Sequence, residues 1–94
     1  MSPLIRSVQW LPSFKRDLDR LPENIRQEAI QRVAALVQQP VPSAWRFHRL
    51  HGYKPGLYTI DVWTNKSYKA SFHLDGDVAV MRRVGAHKDI DRTP

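Results

Sequence analysis

Apolar positions along the chain recur with two different periods, and the change of period divides it into halves. Residues 4 to 10 (LIRSVQW) alternate loosely and include the β-branched Ile5 and Val8, which predicts a short strand stopped by Pro12. Ser13 then reads as the N-cap of a first helix, in which Phe14, Leu18 and Leu21 return at helical spacing among charged residues. Pro22 suits the first position of a second helix, whose stripe is Ile25, Ala29, Val33 and Leu36, widened by Ile30 and Val37 and ended by Pro40 and Pro42.

From Leu57 the period is two. Tyr58, Ile60 and Val62 alternate with Thr59, Asp61 and Trp63, as a half-buried strand requires. Tyr68, Ala70, Phe72 and Leu74 form the apolar row of the next strand, opposite Lys69, Ser71 and His73. Asp75-Gly76-Asp77 signals a hairpin turn. A last strand from Val78 to Val84 would place Val78, Val80 and Val84 in the core, with Met81 and Arg83 opposite. An N-terminal strand, a two-helix hairpin and three antiparallel strands predict an α+β domain with the helices on one sheet face.

A chain of 94 residues, 41% of them apolar, closes one hydrophobic core, so residues 1–94 are expected to form a single domain. There is no cysteine, which excludes disulfide scaffolds, thiolate metal sites and thiol nucleophiles. No segment approaches the roughly 20 apolar residues of a membrane span, and the N-terminus has no signal-peptide pattern, so a soluble cytoplasmic protein with no membrane partner is expected.

The net charge of +6 and a pI near 10.2 favour acidic partners. Residues 45 to 69 concentrate the excess: Arg46, Arg49, Lys54, Lys66 and Lys69 stand against one acid, Asp61. His48 and His51 lie in the same stretch, in RFHRLHG, which reads as a basic loop; His73 and His87 follow. Such a surface serves solubility in many small basic proteins. Here the polar rows of the strands would present Asp61, Lys69, His73 and Arg83 together, with His87 just beyond the last strand.

Cleavage of RNA by its own 2′-hydroxyl needs these residue types. A base takes the hydroxyl proton, an acid protonates the departing 5′-oxygen, and cations stabilise the charge gathering on phosphorus. His87 with His48 or His51 lacks the spacing and further ligands of a zinc site, so neither metal nor cofactor is expected. Among the aromatics, strand phase puts Trp63 on the polar face, where a base could stack; Trp45, Tyr53 and Tyr68 read as structural.

The segments FKRDLDRLPENIRQEAIQRVAALVQQP, RLHGYKPGLYTIDV and SYKASFHLDGDVAVMRRVGAHKDIDR resemble, in that order, the RelE/ParE toxin superfamily over nearly the whole chain. The shared pieces are a helix opening with Phe and closing in Leu-Pro, a Leu-x-Gly loop and a Tyr-x-Ile strand. Most specific is Val84-Gly85-Ala86-His87-Lys88-Asp89-Ile90, similar to the terminal Gly-x-His motif of the YafQ-like branch.

The resemblance implies a toxin of a type II toxin-antitoxin system. It would be a ribosome-dependent, metal-independent endoribonuclease acting on mRNA and held by a cognate antitoxin, an acidic segment that folds onto the basic surface. His87 falls where the YafQ branch has a catalytic histidine, His48 matches another of its functional histidines, and Lys69 stands where RelE proteins have a catalytic arginine. Two positions depart from the pattern. Asp61 replaces a lysine or histidine, and would act as a general base or repel phosphate; Asp91 falls near an aromatic that stacks on the substrate base.

On this reading His87 is general acid or base, with His48 or Asp61 as its counterpart. Lys69 and Arg83 meet the scissile phosphate, and Arg46, Arg49, His51, Lys54, Trp63 and Lys66 guide the RNA. The ParE branch shares the fold but inhibits DNA gyrase without cleaving RNA, so gyrase inhibition is the alternative.

Overall fold

The computed structural model describes residues 4–38, 41–54, 56–63 and 67–94. Strand β1 (Ser7–Trp10) is followed by helices α1 (Pro12–Asp19) and α2 (Glu23–Ala34), with 3-10 turns at Ala35–Val37 and Ser43–Trp45. Strands β2 (His48–Leu50), β3 (Leu57–Asp61), β4 (Tyr68–Asp75) and β5 (Val78–Ala86) come next, and a short helix α3 (His87–Arg92) ends the order. They form one sheet in the order β1-β5-β4-β3-β2, parallel between β1 and β5 and antiparallel elsewhere.

The predicted strand, helix pair and three antiparallel strands are all present in an α+β fold, with an edge strand β2 and helix α3 added to them. Phe14 and Leu18 of α1 and Ala29 and Val33 of α2, with Leu36 beyond it, pack on Ile60, Val62, Ala70, Phe72, Met81 and Val84 of one sheet face. The apolar row expected of β4 does enter this core. The row expected of β5 does so only in part. Ser71 pairs with Arg83 and Phe72 with Met81, so Arg82 is an extra residue in β5.

One inserted residue reverses the side-chain phase of everything before it. Ala79 and Met81 are therefore fully buried in the core. Val78 is half-buried, and Val80 lies beside His73 on the opposite face. The expected placement of Val78, Val80 and Met81 is corrected by this bulge.

The ends of the helices also differ from expectation. Leu11 is the N-cap of α1 and Pro12 its first residue, while the hydroxyl of Ser13 donates to the Arg82 carbonyl at 2.6 Å instead of capping the helix. This contact belongs to a larger device. β1 pairs with β5 only as far as Met81, and α1 takes over the exposed edge beyond it. The Leu11 amide donates to the Met81 carbonyl, and the Asp17 carboxylate accepts the Val84 amide at 3.1 Å. Backbone groups left open by the end of one strand are thus satisfied by the helix that follows.

Pro22 is the N-cap of α2, one position earlier than the sequence suggested, and Pro40 lies outside the described residues. Helix α3 was not foreseen. It packs on the sheet face away from α1 and α2: Ile90 is buried, and its Cδ1 would lie 3.7 Å from a Cβ built on Gly85. No helix among the described residues is long and apolar enough to cross a membrane.

Candidate active site

On the face covered in part by α3, Arg46, His48, Thr59, Asp61, Lys69 and His87 line an open cavity of about 330 Å³ together with Phe47. Sheet register explains the convergence. His48 on β2 stands opposite Thr59 on β3, while Asp61, two residues further, stands opposite Lys69 on β4, whose other neighbour is Gly85 of β5. His87 begins α3 just past β5, and its amide donates to the Ser67 carbonyl at 2.9 Å. RFHRLHG, expected as a loop, therefore contains a paired edge strand, and this pairing fixes His48 over the cavity.

Asp61 is buried, with its side chain only 3% exposed, and its carboxylate takes both arms of Arg46 at 2.6 and 3.4 Å. The same hydrogen bond, with the charge of Asp61, holds the Arg46 guanidinium above its ordinary value. Arg46 adopts a left-handed backbone (φ 50°), a conformation that costs about 1–3 kcal/mol and persists where surrounding contacts fix it. Arg32 of α2 donates to the Asp61 carbonyl at 2.9 Å and to the Glu28 carboxylate one turn back at 2.8 Å, and lies over the Trp45 ring at 5.3 Å.

Lys69 is, with Asp61, the other buried charge lining the cavity. Its ammonium contacts the Asp91 carboxylate at 2.7 Å, and the other Asp91 oxygen accepts from His87 Nδ1 at 2.9 Å. Asp91 thus bridges Lys69, expected to meet the phosphate, and His87, expected to act as general acid or base. Its hydrogen bond from Lys69, aided by the charges of Lys69 and His87, holds the carboxyl below its ordinary value of 3.8, against the opposing effect of burial.

The sign of the linkage follows. A carboxyl with a depressed folded pKa stabilises the fold in full above its unfolded value, and this stabilisation is lost as the pH falls from there through the folded value. Asp91→Asn should therefore lower the urea midpoint at pH 7 and lose that difference below about pH 4, where the unfolded carboxyl protonates. An equal deficit at both pH values would show that the Asp91 charge contributes nothing.

The remaining expected residues are dispersed. Arg83 does not enter this cavity: it donates to both Asp17 oxygens at 2.6 and 3.4 Å and lines a neighbouring one. The Asp17 hydrogen bond raises the Arg83 guanidinium above its ordinary value despite partial burial. His73 sits further along β4, its Nδ1 3.4 Å from Arg82, and both burial and that charge push the imidazole below its ordinary value. Arg49, on β2, points away from His48 by strand alternation, while His51 and Lys54 are exposed in the turn that follows. Trp63 is half-buried beyond β3, and Lys66 lies outside the described residues.

Sequence reasoning missed Arg32 and the Asp91 bridge. The Glu28/Arg32 spacing signals an ion pair on a helix, but the reach of Arg32 to β3 depends on the packing of α2. Asp91 would have been found by noting that residues four apart on a helix meet, which places it beside His87 once α3 is recognised.

No protein-family model matches the chain, and no curated protein does. Solved structures are similar to it. The RelBE2 toxin-antitoxin complex from Mycobacterium tuberculosis superposes with a TM-score of 0.69 at 16% identity, over 92% of this chain and 95% of that one. The fold is that of the RelE and YafQ toxins. The DinJ-YafQ toxin-antitoxin complex from E. coli gives a TM-score of 0.67 at 15% identity over 93% and 98% of the two chains. The RelB-RelE antitoxin-toxin complex from Methanococcus jannaschii gives 0.66 at 24% identity over 92% and 99%.

Proposed function

We propose that the chain is the toxin of a type II toxin-antitoxin system and an endoribonuclease that cleaves ribosome-bound mRNA in the cytoplasm. The observation that carries this reading is the meeting of His48, Lys69 and His87, from three separate elements, in one open cavity. Asp91 accepts from His87 Nδ1 and so orients the ring with Nε2 turned away from it; in the neutral imidazole that nitrogen is the acceptor, which fits His87 as the base. Asp61 is already committed to Arg46, so His48 serves as the acid.

In the reaction the 2′-hydroxyl gives its proton to His87 as its oxygen bonds to phosphorus. The bond from phosphorus to the 5′-oxygen breaks, and His48 protonates the departing oxygen. The products are a 2′,3′-cyclic phosphate and a free 5′-hydroxyl. The Lys69 ammonium stabilises the charge on the phosphorane, released from Asp91 as the phosphate enters. Arg46 orients Asp61, Arg49, His51, Lys54 and Lys66 draw the RNA in, and Trp63 offers a ring to a base.

The partner is an antitoxin whose acidic segment covers the basic face, in line with the toxin-antitoxin complexes of similar fold. The test is primer extension on a reporter mRNA in a translation extract. Wild type should give discrete breaks that disappear without ribosomes, and His87→Ala, folded by circular dichroism, should give none. Intact message with both proteins would overturn the nuclease reading and direct attention to supercoiling by DNA gyrase.

A further inference from the structure

A second cavity, of about 470 Å³, opens on the same sheet face. Leu57, Thr59 and Asp61 alternate on one side of β3; the last two line the first cavity and Leu57 lines the second. Four residues of strand separate Leu57 from Asp61, about 13 Å. The two cavities therefore lie along one track.

The chemistry of the second cavity is specific. Its walls carry three guanidiniums, those of Arg82, Arg83 and Arg92, and its apolar surface includes Leu57 and Tyr53, a residue 42% exposed. Asp17 neutralises Arg83 alone. Among the described residues Arg82 has no carboxylate partner: its Nη1 leans on His73, an imidazole that burial and Arg82 itself disfavour as a cation, and its buried Nε has no hydrogen-bond partner. Arg92, on the last turn of α3, has no acidic partner among the described residues.

A buried donor without a partner is costly, and Arg82 Nε is one, whereas Arg92 is exposed and can turn toward a ligand. Arg82 is also the inserted residue of the β5 bulge, and it is the bulge that turns it out of the ladder. Two uncompensated guanidiniums beside an exposed aromatic ring match a nucleotide, whose phosphate accepts from the arginines and whose base rests on the ring.

We infer that the cavity between Tyr53, Arg82 and Arg92 is a subsite for a nucleotide of the same RNA strand, flanking the one cleaved at His48 and His87. The inference rests on the RNA-cleaving reading of the first cavity, and the test keeps the two apart. The full chain, isotope-labelled, is titrated with a single-stranded RNA trinucleotide carrying 2′-O-methyl groups, which removes the attacking hydroxyl. Amide and arginine Nε–H resonances are followed.

Shifts at both Tyr53/Arg82/Arg92 and His48/His87 support both sites. Shifts at the histidines alone overturn the subsite and leave the nuclease reading standing; shifts at the arginines alone do the reverse. No shift at either overturns both. If only an Asp/Glu-rich peptide moves the arginine resonances, the cavity takes a protein partner and the nucleotide assignment falls.

Arg82→Gln/Arg92→Gln, folded by its amide spectrum, should bind the trinucleotide about tenfold more weakly. Its affinity should also depend less steeply on salt, by about 0.7 in the log-log slope for the phosphate no longer neutralised. Unchanged affinity and slope would overturn the subsite.

Discussion

Asp17→Ala should destabilise the fold by about 2–3 kcal/mol, a large part of the roughly 5–15 kcal/mol that holds a small domain together. Asp17 sits on the inner side of α1 with its side chain 10% exposed, and one of its oxygens accepts both the Val84 amide and Arg83 Nε. Removing the carboxylate leaves the Val84 amide buried without a partner at the point where β1 has already stopped pairing with β5. That desolvated donor accounts for most of the expected loss, about 1–3 kcal/mol. The ion pair itself adds up to about 1 kcal/mol, because Arg83 is 36% exposed and can recover water.

Asp17→Asn separates the two contributions. Its amide oxygen can still accept from Val84, so it should retain more than half of the lost stability. Urea unfolding of the three proteins at pH 7 measures this. A loss below about 1 kcal/mol for Asp17→Ala would mean that the β5 edge finds another acceptor and that α1 does not close it.

Most of the architecture is written in the periodicity, because each predicted element buries one stripe or one row against the same core. The failures have local causes. Arg82 breaks the alternation of β5, and a period of two cannot show an inserted residue when Val78, Val80 and Val84 look equally apolar. His48–Leu50 is too short to display any period, and its place in the sheet is set by pairing with β3 across a turn. Helix α3 has one buried residue, Ile90, and six residues in all, so it carries no stripe to recognise.

At the candidate site the residue types were legible and their partners were not. His48, His87, Lys69 and Asp61 meet in one cavity, as strand phase and the family resemblance suggested. Arg83 shares a strand face with Lys69 yet is drawn away by Asp17, a residue 66 positions earlier whose role depends on where α1 crosses. The Arg46–Asp61 and Lys69–Asp91 contacts, which decide which groups are free to react, join residues 15 and 22 positions apart that no local spacing encodes.

Lys69→Met should lower kcat for RNA cleavage by about 10²- to 10³-fold, the range seen on removing one preorganised donor from a developing charge. Methionine keeps most of the buried aliphatic stem, so the sheet should remain intact and the loss should report the ammonium. In the free protein that ammonium is held by Asp91 and is 9% exposed, which means that it is already desolvated before substrate arrives. A charge placed in advance in a dry site stabilises the phosphorane more than the same charge in water.

The effect should fall on kcat more than on KM. A substrate phosphate carries one negative charge and must displace Asp91 to reach Lys69, so ground-state binding gains little; the phosphorane carries a second charge and gains more. Lys69→Arg retains the cation and should lose less, although its bulkier fork must fit where a slim stem now lies. Single-turnover cleavage of a reporter message on stalled ribosomes, with saturating toxin, isolates the chemical step. A loss under tenfold for Lys69→Met, with the variant folded, would place the ammonium off the scissile phosphate and reduce the Lys69–Asp91 bridge to a structural contact between β4 and α3.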